Sequence, residues 1–191
     1  MEDHGVTIGA DGLARCSWAG SDPLYLRYHD EEWGRELRGE DALFERITLE
    51  AFQSGLAWIT ILRKREGFRA AFAGFEIAKV AEFGEQDVLR LMADEAIVRN
   101  RAKVNAAITN ARAAQALDGA LTDLIWSHAP KNQKRPRTNQ DIPATTPESA
   151  ALAKSLKKVG FVFVGPTTSY ALMQACGLVN DHLADCFFRH G

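Results

Sequence analysis

The chain lacks any apolar run of membrane-spanning length, which excludes a helical transmembrane protein. No basic segment followed by an apolar stretch opens it, so nothing marks it for secretion. It holds only three cysteines in 191 residues, and an odd, small number cannot form a disulfide framework. A reducing cytoplasm is the compartment these absences predict. Charge of one sign is missing as well: a formal net charge of −2 gives no broad basic surface for nucleic acid. Local basic clusters remain at Arg63-Lys64-Arg65, Lys157-Lys158 and Lys131 to Arg137, and such clusters are more often solvated faces than phosphate contacts. Internal repeats are absent. Strand-like runs are nearly so; Phe161 to Val164 has strand propensity but no partner of similar character, and reads as an apolar link. The length suits one domain whose core needs no disulfides.

What is present is helical periodicity, and the fold class predicted is all-α. From Asp41, the positions Leu43, Phe44, Ile47 and Ala51 follow helical spacing. Gly55 interrupts, and a helical pattern resumes from Leu56 to Arg65, ending in basic residues and Gly67. Phe68 to Phe72, Glu76 to Phe83 and Glu85 to Ala93 read as short helices. Residues 95–117, dense in alanine, read as the longest. Ala129 to Pro147, with several prolines and a cluster of cations, reads as a mobile loop. Thr146-Pro147 opens a helix through Lys158, with proline in its first turn. A further helix runs from about Thr167 to Gly177, and a short one carries His182 and Cys186. Residues 1–14 are polar and read as a flexible extension before a single domain over 15–191.

Three constellations carry chemistry. Cys16 and His29 near one end, with His182 and Cys186 at helical i,i+4 spacing near the other, make a Cys₂His₂ set. Four protein ligands close a tetrahedral zinc site, which is then structural. On spacing alone, two buried thiols and two ordinary histidines remain an open alternative. Cys176 lies in an apolar run and reads as a core residue. Second, residues 148–176 read as helix, glycine-containing hairpin and helix, in which Val164, Gly165, Thr167 and Thr168 would offer backbone N–H groups to a phosphate. An ordinary pair of packed helices fits the same pattern. Third, the N-terminal third is rich in aromatics, including Trp18, Tyr25, Tyr28, Trp33 and Trp58, beside Glu50 in a mostly apolar helix. Aromatic faces stack on planar ligands and favour cations, and a carboxylate among apolar neighbours is either functional or turned to solvent.

These segments together resemble the 3-methyladenine DNA glycosylase I family of bacterial alkylation repair. The resemblance runs from Arg15 to Cys186 and includes Cys16-Ser-Trp18, Asp22-Pro-Leu-Tyr25, Tyr28-His29-Asp30 and Glu32-Trp33-Gly34. It continues through Leu49-Glu50, Gly55-Leu-Ala-Trp58, Gly160-Phe-Val-Phe-Val-Gly165 and Met173 to His182. The resemblance implies a helix–hairpin–helix glycosylase fold whose termini are tied by one structural zinc on Cys16, His29, His182 and Cys186. It implies Glu50 as the base-contacting carboxylate, Trp18, Tyr25, Tyr28 and Trp58 as base-pocket aromatics, and Gly55 and Leu56 as the turn that plugs the stack where the base leaves. The partner implied is alkylated double-stranded DNA, with no obligate protein partner and a monomeric enzyme. The reaction implied is extrusion and hydrolytic release of cationic 3-methyladenine, without a lysine Schiff base. Two other classes stay open on the residues alone: a non-catalytic zinc-stabilised helical DNA-binding module, and a zinc hydrolase with one ligand displaced by water.

Overall fold

A computed structural model describes residues 5–188. The chain enters through a hairpin of β1 (Val6–Ile8) and β2 (Ala14–Cys16), paired antiparallel with Val6 opposite Cys16 and Ile8 opposite Ala14. The described part of the 1–14 segment, expected to be a flexible extension, thus carries a strand pair, and residues 1–4 lie outside the described residues. The Gly9 to Leu13 turn closes on itself, with Gly9 N–H donating to the Leu13 carbonyl at 2.9 Å. The all-α expectation therefore holds for the core but not for this ribbon.

The helices follow in order. They are α1 (Pro23–Glu31), α2 (Glu40–Gln53), α3 (Trp58–Ala71), α4 (Ile77–Ala81), α5 (Glu85–Ala93), α6 (Arg101–Gln115), α7 (Leu121–Trp126), α8 (Pro147–Lys158) and α9 (Pro166–Ala175). Their starts are written in the sequence. Asp22 caps α1 by accepting from Leu24 N–H at 2.9 Å, Asn100 caps α6 through Lys103 N–H, and Thr146 caps α8 through Ser149 N–H, with proline at the first turn of α1 and α8.

Helix α2 is the hub, packing against α3, α6, α7 and α9. Its Leu43, Phe44, Ile47, Leu49 and Phe52 are fully buried. Each such side chain contributes on the order of 1.5–3 kcal/mol of apolar burial. The aromatic set Phe52, Phe68, Phe72 and Phe75 extends this core through edge-to-face and stacked contacts. Gly67, read as a stop, is instead interior to α3. A Cβ there would sit 2.6 Å from the Ala96 carbonyl oxygen, so glycine is needed for close packing rather than for a turn. Gly67→Ala is expected to destabilise by about 1–3 kcal/mol, read as a lower thermal midpoint; an unchanged midpoint would refute that close approach.

Two further expectations change. Phe68 to Phe72 is the end of α3 and not a separate helix. His182 and Cys186 stand on a non-helical turn, with Cys186 N–H donating to the Leu183 carbonyl at 2.9 Å. The loop between α7 and α8 is irregular but tied down: Gln133 spans the Asp181 carboxylate and the Asn180 N–H, and Ala184 N–H donates to the Pro136 carbonyl. No described helix is long and apolar enough to cross a membrane.

Candidate active site and metal cluster

A cavity of about 350 Å³ opens where α1, α2, α3 and α9 meet a 3₁₀ turn at Ser17–Ala19. That turn supplies Trp18; α1 supplies Tyr25 and Tyr28, three apart on one face. Trp58 starts α3, and Trp33 comes from the link after α1. The rings pack on one another: Trp18 lies 5.1 Å from Tyr25 and 4.9 Å from Trp33, and Tyr28 lies 5.5 Å from Trp58. All four expected aromatics and Trp33 thus line one space. The size is within the usual range for a small-molecule site, and planar walls suit a planar ligand.

Glu50 also lines the cavity, although only 5% of its surface is exposed. Burial pushes its carboxyl up to about 7, and Arg46, one turn earlier on α2, pulls the other way. Among the described residues no hydrogen-bond donor contributes. A buried carboxylate without a donor is an acceptor waiting for a partner. Trp58 lines the same space, and its Nε1–H is buried with no partner among the described residues.

Arg46 is itself buried beneath these rings. Its guanidinium donates to the Tyr28 hydroxyl at 3.0 Å, stands over the Tyr28 and Trp58 rings, and lies 3.7 Å from Glu32. Glu32 in turn takes a two-pronged contact from Arg65. The cavity floor is therefore an ordered ion network, which holds Tyr28 and sets the field at Glu50.

Beside the aromatic wall, Cys16, His29, His182 and Cys186 come together, all buried, with their ligand atoms within 4.8 Å of one another. Cys186 Sγ lies 3.5 Å from His29 Nε2 and 3.7 Å from His182 Nδ1; Cys16 Sγ lies 4.0 Å from His182 Nδ1. The outer ring nitrogens are engaged. His29 Nδ1 meets Asp30 at 2.8 Å, and His182 Nε2 meets the Trp33 carbonyl at 2.9 Å. Asp30 is fixed by Arg15, which also grips Asp11. Such outer contacts choose the tautomer and aim the inner nitrogen at a metal. The hydrogen bond between the two sulfurs holds the Cys186 thiol below its ordinary range and, together with burial, pushes Cys16 up. Four such donors can hold one metal ion.

A family model described as methyladenine glycosylase matches residues 18–190. The chain belongs to the methyladenine glycosylase family. It is 48% identical over 180 residues to DNA-3-methyladenine glycosylase 1 of Escherichia coli (strain K12), covering 91% of this chain and 96% of that one. It is 44% identical over 178 residues to DNA-3-methyladenine glycosylase of Haemophilus influenzae, covering 90% and 96%. A crystal structure of 3-methyladenine DNA glycosylase I matches with a TM-score of 0.89 at 47% identity, over 93% of this chain and 100% of that chain. A Staphylococcus aureus relative, solved to show how it recognises 3-methyladenine, matches with a TM-score of 0.86 at 36% identity, over 93% and 97%.

Two turns of this glycosylase stand outside the cavity. Gly55, at φ +82°, and Leu56 follow α2, and Leu56 is 37% exposed. The α8–α9 link ends at Gly165, and Thr167 and Thr168 sit in the first turn of α9, where backbone N–H groups have no intrahelical acceptor. The Val164 side chain is core, so only its backbone is on offer. Sequence reading did not single out Arg46, Gln53, Gln174 or Asn139. Arg46 alone carried a signal, a cation amid Phe44, Ile47 and Leu49. Asp181 is buried and accepts from the Tyr170 hydroxyl, Gln174 and Gln133, so its lone pairs are spent on holding the α9 end and the α7–α8 loop.

Proposed function

We propose that this family member is a monofunctional DNA glycosylase that flips cationic 3-methyladenine out of alkylated duplex DNA and releases it by hydrolysis. The observation that carries the reading is the buried Glu50 carboxylate, with no donor among the described residues, in a cavity walled by Trp18, Tyr25, Tyr28 and Trp58. Methylation at N3 gives the purine a positive charge and weakens its bond to the sugar. Aromatic faces hold the cation, and each stacked base is worth on the order of 1–3 kcal/mol in other nucleic-acid sites. Glu50 accepts from the exocyclic amine and disfavours bases that present a carbonyl there. When the C1′–N9 bond breaks, its electron pair leaves with the base, which departs neutral. Water adds to the sugar cation and loses a proton, leaving an abasic site. No lysine lines the cavity among the described residues, which supports water rather than an amine as nucleophile.

Flipping costs a few kcal/mol, less for a damaged base. Leu56 at the Gly55 turn fills the emptied stack, while backbone N–H groups of the α8–α9 helix–hairpin–helix, around Gly165, Thr167 and Thr168, hold phosphate. Dipoles in place of a basic surface reconcile DNA binding with a near-neutral chain. Leu56→Ala is expected to lower kcat/KM on methylated duplex about tenfold or more, and to cost less on single strands, where no stack needs filling. Equal losses on both would make Leu56 a packing residue.

The metal we assign to the quartet is one structural zinc. With Zn–S about 2.3 Å and Zn–N about 2.0–2.1 Å, tetrahedral geometry sets sulfur and nitrogen about 3.6 Å apart. The observed 3.5, 3.7 and 4.0 Å suit that. When bound, zinc supplies a cross-link; four protein donors leave no place for a reactive water, which disfavours a zinc hydrolase. A non-catalytic DNA-binding module would bind methylated duplex and release no base. The deciding measurement is therefore the appearance of free 3-methyladenine from methylated duplex DNA.

A further inference from the structure

Lys103 and Asn110 are buried polar residues of α6 that the cavity does not use. Lys103 extends to the far end of α2, where its ammonium donates to the Phe52 carbonyl at 2.9 Å and the Ser54 carbonyl at 2.6 Å. Carbonyls at a helix end lack intrahelical donors, and a cation there also meets the negative end of the helix dipole. The chain then leaves through Gly55 and Leu56. Asn110 grips the other turn: its amide accepts from Val162 N–H at 2.7 Å and donates to the Val162 carbonyl at 3.1 Å, as a strand neighbour would. Next to it, Phe163 is held at φ +57°, a left-handed backbone that a bulky residue rarely adopts, and is 46% exposed. Gly160 of the same turn approaches Ala113 of α6, 3.4 Å from where its Cβ would stand.

Residues seven apart on a helix lie on nearly the same face, with a rise of about 10.5 Å. Both turns are therefore anchored to one side of one alanine-rich helix. Apolar side chains at 103 and 110 would bury more area at less desolvation cost, and burial indeed pulls the Lys103 ammonium down from its ordinary range. What the polar pair adds is a defined position for two stretches of backbone.

We propose that Lys103 and Asn110 are positioning residues which, from one face of α6, fix the distance between the Gly55-Leu56 turn and the α8–α9 hairpin, so that duplex DNA is gripped at two points of a single rigid gauge. This rests on the reading that both turns touch DNA. A two-point grip gains affinity only while both points engage together, so loss of either anchor forfeits most of the gain.

The test uses the full chain with its metal. Lys103→Met, Asn110→Leu and the double variant are titrated with duplex carrying a stable abasic-site analogue, and separately with free 3-methyladenine by tryptophan quenching. Each single variant is expected to weaken duplex binding at least tenfold, the double by less than the product, and Lys103→Arg to restore most of the loss. Free-base affinity is expected to stay within twofold. Equal losses for duplex and free base, or no loss for duplex, would overturn the proposal. Asn110→Gln, which keeps the amide and changes only its reach, serves where Asn110→Leu does not fold, with the same expected split. Leu56→Ala and Thr167→Ala are measured alongside. If neither weakens duplex binding, the DNA reading of the turns is wrong and the gauge falls with it. If they do weaken it while the α6 variants do not, the positioning role alone is wrong.

Discussion

Glu50→Gln is expected to lower kcat/KM on methylated duplex at pH 8 by about two orders of magnitude, the scale on which a positioned charged partner acts. It is also expected to erase a pH inflection. In the native protein, desolvation raises the carboxyl to about 7, against the pull of Arg46. Tyr25, Tyr28 and Cys176 face it as neutral groups, each pushed up by burial and by Glu50 itself. The base-binding anion therefore forms only as pH rises through about 7, and wild-type kcat/KM climbs there. The glutamine variant has no such group, so its profile is flat across that range. Stability moves in the opposite sense. A carboxyl whose folded pKa is raised binds more protons folded than unfolded. Its contribution is complete below the ordinary value of 4.5 and is lost as pH rises through about 7. That loss is at most about 3 kcal/mol. The variant's melting temperature is thus expected to gain on wild type above pH 7 and to fall back toward it at pH 5. A variant as active as wild type, with an unchanged pH profile, would remove Glu50 from the site.

Removing the metal is expected to lower the thermal midpoint by roughly 10 °C or more, if the cross-link is worth roughly 4–5 kcal/mol in a domain this size. The cluster that packs there is small: Cys16, Leu183, Cys186 and Phe188 are its buried members. So little apolar area leaves the join between the two ends of the chain to hydrogen bonds such as Phe187 N–H to the Ala14 carbonyl and to the proposed ligand bonds. The effect is expected to reach the cavity. Trp18 follows Cys16 by one 3₁₀ turn, and the Trp33 carbonyl receives His182 Nε2. Cys186→Ser and chelated protein should both lose base release along with stability, and elemental analysis of wild type is expected to give one zinc per chain. A metal-free protein melting at the wild-type temperature would overturn the clip.

Much of this was legible in the residues. Helices α2, α6 and α8 carry uninterrupted apolar periodicity or a clear cap, and local signals fixed them. The quartet, the four pocket aromatics and Glu50 were found by residue type and resemblance, and the structure gathers each set into one place. Other features depend on partners far along the chain. Gly67 looks like a stop until Ala96 is seen against it. The His182 and Cys186 spacing imitates a helix face, yet facing Cys16 and His29 requires a turn. The hairpin of residues 6–16 is too short and polar for pattern alone; Arg15, bonded to both Asp11 and Asp30, holds it. Lys103 and Asn110 look like surface residues of an alanine-rich helix, because the carbonyls they serve belong to other segments.

The quartet's span has a consequence for biosynthesis. Cys16 and His182 stand 166 positions apart, so half of the site emerges from the ribosome long before the other half. A nascent chain holds one thiol and one imidazole, too weak a set to retain an ion, while the helical core condenses behind them. Closing so long a loop is affordable only once that core has brought the ends near each other. With the proposed zinc in that site, metal uptake would be the last event of maturation, and a chain cut short before Cys186 would never complete it.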